Sequence, residues 1–88
     1  MSKPIMKYAA GNVAVAIWEN EIPLPNGTTK PVLKATVERQ YKDKNDKWQS
    51  SSSFGRNEIA LARHVLGQAY TFILDEEKAR RANEDEVE

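Results

Sequence analysis

Few side chains in this 88-residue chain are equipped for covalent or proton-transfer chemistry. There is one histidine, His64, and no cysteine, so a thiolate nucleophile, a thiolate zinc site and a disulfide framework are all excluded. His64 stands beside Arg63 on the polar side of a helical segment, without the carboxylate or second imidazole that a base or a metal ligand needs. It reads as a solvated helix residue. Ser50 to Ser53 carry no glycine-flanked nucleophile elbow. Asp43, Asn45 and Lys47 hint at a calcium loop, but its sixth and twelfth places, which want Gly and Glu, hold Trp48 and Phe54. Neither a phosphate-cradling glycine loop nor a dinucleotide fingerprint is present. The expectation is a protein that is not an enzyme and takes no cofactor, metal or small-molecule substrate.

What remains is chemistry of recognition. Lys34, Thr36, Gln40 and Lys42 alternate along one segment, and Lys47, Gln49, Ser51 and Ser53 alternate along the next. On strands, such spacing puts each set on one face, and Trp18 belongs with them. Lys7 near the start, Lys44 in the intervening turn and Arg56 beyond the second segment extend the basic set, and Glu38 alone opposes it. Arg39 has the opposite parity; it cannot be buried unpaired, so it is expected to emerge at a helix edge and serve phosphate as well. Lysine and arginine neutralise phosphates, hydroxyls and amides bond to backbone or base, and an exposed indole stacks on an unpaired base. Lysines and serines are also ordinary on the wet face of an antiparallel sheet. Trp18 is the residue such a face does not explain, and two readings of it stand: base stacking, or burial in a dimer interface or under a neighbouring loop.

Charge distribution supports the same set. The formal net charge is zero, from 13 basic and 13 acidic residues. Residues 1–74 hold ten bases against six acids, a balance of +4, and residues 75–88 hold three against seven, a balance of −4. The chain reads as one basic domain over 1–74 with an acidic, frayed or disordered tail over 75–88, which could compete for the basic face. Its longest apolar run, Ala9 to Trp18, is far short of the roughly 20 residues of a membrane helix. Ile5-Met6 is followed at once by Lys7, so no export signal is read and the expected location is cytoplasmic.

These residues must be held by a sheet. Val13, Val15 and Ile17 alternate with Ala14, Ala16 and Trp18 as a half-buried strand does. Glu19 to Pro31, with three prolines and the Asn26-Gly27 pair, reads as a long loop or frayed ribbon end. A second strand is expected over about 32–42, a polar turn over 43–46 and a third strand over 47–54, with Trp48 and Phe54 toward the core. Lys3 to Ala10 offers a fourth, edge strand. After Gly55, Asn57 is the expected N-cap and Glu58 suits the positive end of a helix dipole. Ile59, Ala62, Leu66, Ala69, Tyr70 and Ile73 are expected to dock on the sheet, with Leu61, Val65 and Phe72 as a second stripe. That combined face is wider than one small sheet covers. It predicts a helix-mediated dimer through Leu61, Val65, Tyr70 and Phe72. The expected class is α+β: a curved antiparallel sheet of three to four strands with one long C-terminal helix packed on it.

The stretch from Pro31 to about Ala69 resembles the positive-cofactor-four family of single-stranded-DNA-binding transcriptional coactivators, related in fold to the plant Whirly proteins. The likeness is carried by the strand Val32 to Tyr41, the charged turn Lys42 to Lys47, the strand Trp48 to Ser53, and Phe54-Gly55-Arg56-Asn57-Glu58-Ile59 leading into one helix. It implies a homodimer gripping single strands or melted duplex on paired β-ribbons. The partners expected are therefore single-stranded DNA, or RNA, and a second copy of the chain. The alternative is a protein-interaction module, of phage or mobile-element type, that uses a sheet edge or the helix face.

Overall fold

In the computed structural model, which describes residues 3–86, the alternation around Val13 becomes the centre of the molecule. Val13, Val15 and Ile17 are fully buried, together with Val65 from the helix. They belong to β2 (Val13–Pro23), which pairs with β1 (Met6–Ala10) on one side and β3 (Thr29–Lys42) on the other. β4 (Trp48–Ser51) pairs with β3, giving an antiparallel sheet in the order β1-β2-β3-β4. One helix, α1 (Arg56–Glu86), follows and lies over β2 and β1, touching β3 less. The class is α+β. The edge strand anticipated over Lys3 to Ala10 is β1, joined to β2 by Gly11-Asn12. Gly11 has φ +57°, the left-handed backbone that the first position of a tight hairpin requires.

Of the two readings of Glu19 to Pro31, a long loop or a ribbon end, the ribbon holds, and it is paired up to Pro23 and Thr29. The β2–β3 register continues unbroken from Val13↔Arg39 to Pro23↔Thr29. Gln40 N donates to Asn12 O, so even-numbered β3 residues direct their backbone groups at β2 and odd-numbered ones away from it. Pro31, and Pro23 opposite Thr29, therefore face the open sides of the ribbon, where no donor is missed. The tip is closed by Leu24 N on Thr28 O at 2.8 Å and by Asn26 Oδ1, which accepts from Thr28 N and Oγ1.

β4 runs with the opposite parity to that expected. The β3–β4 connection is five residues, Asp43 to Lys47, and places Trp48 opposite Lys42 and Gln49 opposite Tyr41. Asp43 organises it. Its Oδ1 accepts from Asn45 N and Lys47 N, its Oδ2 accepts from Gln49 Nε2, and Asp46 takes up φ +62°. Because side chains alternate, this one-residue difference in register turns every β4 side chain over. Trp48 lies outside and 66% exposed, whereas Gln49 and Ser51 share the helix-bearing face with Tyr41 and Arg39. Phe54 still packs against the core, but from beyond the end of the strand, where β4 parity no longer applies.

The helix starts earlier and is rotated from the expected setting. Gly55 is the N-cap: Ile59 N donates to Gly55 O, and Glu58 Oε1 accepts from Gly55 N at 3.0 Å, one half of a capping box. Asn57 lies inside the first turn. Ala62, Val65 and Ala69 are buried on the sheet, with Leu61, Phe72 and Ile73 half-buried beside them. Tyr8 meets Phe72 edge-on at 6.5 Å between ring centroids. Of the four residues expected at a dimer interface, Val65 is fully enclosed and Leu61 and Phe72 pack inward, leaving Tyr70 on the free side. The apolar residues that do face out are Ile59, Leu66 and Tyr70. Small Ala62 and Ala69 admit the backbone closely to a sheet rich in Val and Ile, which selects their side of the helix over the bulkier stripe. Past Asp75 the helix continues to Glu86, and Arg80 ties it to the ribbon by pairing with both Glu19 and Glu76.

Candidate nucleic-acid interface

The sheet sorts charge by face. Residues paired across an antiparallel ladder share a face, so the register alone assigns each side chain. On the outer face, away from α1, lie the cross-strand rows Lys7–Ala16–Thr36, Ala9–Ala14–Glu38, Trp18–Lys34, Gln40–Ser50 and Lys42–Trp48, with Ile22–Lys30 further along the ribbon. Within these rows four lysines thus face one carboxylate, and Asp46 of the turn adds a second beside Lys42. Glu19, Glu21 and Arg39 lie on the inner face, where Glu19 meets Arg80 and Glu21 accepts from Thr29 Oγ1. Asp75, Glu76 and Glu77 belong to α1 and so lie across the sheet from the outer lysines, not over them.

Trp18 is half-buried on this outer face, and its indole N–H donates to Thr36 Oγ1 at 2.9 Å. That bond fixes the ring against the neighbouring strand. The Glu19–Pro31 segment does not cover it, because it extends the same sheet, and Pro4 borders the hollow beside it. Lys42 reaches over the Trp48 ring, 5.3 Å from its centroid, and lies 3.5 Å from Asp46. Both lysine interactions are exposed and worth little energetically. Asp43 is held below the ordinary carboxylate range, first by the Lys47 backbone N–H, then by the Gln49 side chain and the Asn45 backbone. The turn that aims Trp48 outward is therefore anchored by an ionised aspartate. Arg80 is pushed further toward its protonated form, chiefly by its bond with Glu19.

Of the residues expected to contact nucleic acid, Lys7, Trp18, Lys34, Thr36, Gln40 and Lys42 come together on the outer face. Lys44 and Lys47 lie in the exposed β3–β4 turn at its end, and Arg56 is exposed at the start of α1. Gln49, Ser51 and Arg39 belong to the inner face; Arg39 Nε donates to Ser53 O at 2.8 Å and its guanidinium stacks on Tyr41 at 5.1 Å. Two outer-face residues escape the sequence reading, Trp48 and Lys30. Lys30 was hidden because its segment reads as a loop or frayed ribbon end, which assigns it no face. Trp48 needed the turn length, which Asp43 followed two residues later by Asn45 would have signalled as a side-chain-capped turn.

His64 borders a broad, shallow depression of about 720 Å³ between β1 and α1, shared with Tyr8, Gln68 and Asp75. Eleven residues of helix put His64 and Asp75 about 16 Å apart along the axis, too far for an acid–base pair. Among the described residues, no group of three His, Asp or Glu side chains could hold a metal ion, and no helix is long and apolar enough to cross a membrane. Scanned against protein-family models, curated proteins and solved structures, the chain matches none.

Proposed function

We propose that this protein is a non-catalytic binder of single-stranded nucleic acid, DNA by preference, with little sequence specificity, that acts as a homodimer in transcription or replication. The observation that carries the reading is the outer sheet face, where Lys7, Lys30, Lys34 and Lys42 share a surface with two indoles and, among the described residues, Glu38 within the sheet and Asp46 beside Lys42 oppose them. The lysines suit phosphates, and the indoles suit bases that are free to leave a stack. A duplex presents its bases edge-on and gives neither ring a face to stack on. The likeness of Pro31 to Ala69 to the positive-cofactor-four family points the same way. The test is fluorescence anisotropy with labelled single-stranded and duplex oligonucleotides of one sequence across a salt series. Tighter, salt-dependent binding of the single strand is expected. Equal weak binding of both, or none at low salt, refutes the reading.

A second reading, a protein-interaction module, is favoured by the free side of α1. Ile59, Leu66 and Tyr70 are 57%, 41% and 65% exposed and share one side of the helix. Among the described residues, β3 residues 31–38 pair with no strand on the side away from β2. In the first reading a second copy covers this stripe. Light scattering coupled to size exclusion separates the two: a dimer that Leu66→Glu with Tyr70→Glu dissociates supports the first, and a stable monomer supports the second.

A further inference from the structure

The outer face contains the same cross-strand pair twice. Trp18 stands opposite Lys34 and Trp48 stands opposite Lys42, each pair an indole beside an ammonium on adjacent strands. The two lie eight β3 positions apart, which is about 27 Å at the rise of an antiparallel strand. Two hollows lie between them. One hollow of about 220 Å³ is bounded by Trp18 and Lys7 and reaches Ala14 and Gln40. A second, of about 310 Å³, is bounded by Trp48 and also reaches Ala14 and Gln40. The two adjoin at those shared residues, and the small side chains of Ala9, Ala14 and Ala16 line the stretch between the indoles. Its middle carries Glu38, which repels phosphate and accepts hydrogen bonds from exocyclic amino groups.

We propose that the outer face is a two-station site for one unpaired strand, each station a tryptophan–lysine pair that stacks a base and holds its phosphate, joined by an alanine-lined stretch that takes the bases between. This rests on the single-strand reading above and adds a length to it. About 27 Å spans roughly eight nucleotides at the helical rise of 3.4 Å each, and roughly half that number on a stretched backbone, within the usual range of small single-strand binders. Thymidylates are the natural probe, since they bring no self-structure.

The experiment titrates the full chain with oligothymidylates from two to twelve nucleotides, followed by tryptophan fluorescence and by anisotropy. Trp18→Phe and Trp48→Phe each leave a single reporter. Di- and trinucleotides are expected to quench either reporter weakly. In the native protein, affinity is expected to rise roughly hundredfold as the strand grows long enough to span both stations, because the second contact becomes intramolecular. In either single-tryptophan variant most of that rise should vanish. Anisotropy that reports binding while only one indole, or neither, is quenched, or an affinity flat with length, overturns the two-station site and leaves the single-strand reading standing. No binding of any length at low salt overturns both. Should Trp18→Phe melt early through loss of the Thr36 bond, Lys34→Ala in the Trp48→Phe background tests the same station with Trp18 retained. A weakening of at least threefold with an unchanged melting temperature is then expected, and no change refutes the station.

Discussion

Lys34→Ala combined with Lys42→Ala removes half of the four outer-face lysines without touching the core. Each phosphate neutralised on a single strand contributes about 0.7 to the slope of log affinity against log salt. Two lysines that each hold one phosphate therefore carry about 1.4 of slope. At about 0.1 M salt, a factor of ten below the molar range where this contribution fades, the double variant should bind about 25-fold more weakly. Stability should hardly move. Lys34 is exposed, and the Lys42–Asp46 pair has side chains 50% and 84% exposed, so screening leaves it little to contribute. The assay is anisotropy of a labelled single strand between about 50 and 300 mM salt, fitted for slope, a range over which phosphate contacts dominate the change. Arg63→Ala, an exposed cation on α1, is the control for total charge. An unchanged slope in the double variant, or the same loss in the Arg63 control, would refute the assignment of phosphate binding to this face.

Other consequences follow from the packing and the turns. Val65→Ala empties a fully buried site and should cost about 2 to 3 kcal/mol in urea denaturation, lost transfer energy plus residual cavity. Leu66→Ala, one residue on but outside, should cost under about 1 kcal/mol in a dilute monomer and more as a dimer forms. Gly55→Ala brings a Cβ to 2.6 Å from Glu58 Oε1, so the carboxylate must swing off its bond to Gly55 N. The expected loss is about 0.5 to 1 kcal/mol, and adding Glu58→Ala should lower stability little further, because both changes break one interaction. Asp43 has a folded-state value below its unfolded one, so its contribution is present above about pH 3.9 and is lost as pH falls through the lower, folded value. A carboxyl-carbon NMR titration should give a midpoint below 3.9. The stability gap between Asp43→Asn and the parent should close in that acid window, and a gap that persists at low pH would contradict the role of the ionised carboxylate.

The period-2 run from Val13 to Trp18 assigned β2 and its buried side by itself, because alternation on a strand needs no knowledge of the partner. So did the parity of Lys34, Thr36, Gln40 and Lys42, which is why the centre of the candidate interface was legible. The helix was legible as an element too. Where its two adjoining apolar stripes meet the sheet was not, because any part of the wide face satisfies the same 3.6-residue period. Small Ala62 and Ala69 pressed on the β2 surface decide that, and they leave Ile59, Leu66 and Tyr70 outside.

The prolines misled locally, since Pro31 and Pro23 are compatible with a ribbon once each faces an unpaired edge, and that depends on the neighbouring strand. Trp48 shows the same limit most plainly. Shared strand parity with Phe54 makes Trp48 look like core, and only the register imposed by the Asp43-centred turn turns it to solvent beside Lys42. Sequence by itself determined which residues alternate, where the charges lie along the chain and that one helix follows a sheet. Tertiary structure decided which face each set occupies, because a face is defined by pairing between strands distant in sequence, and a shift of one residue exchanges the two.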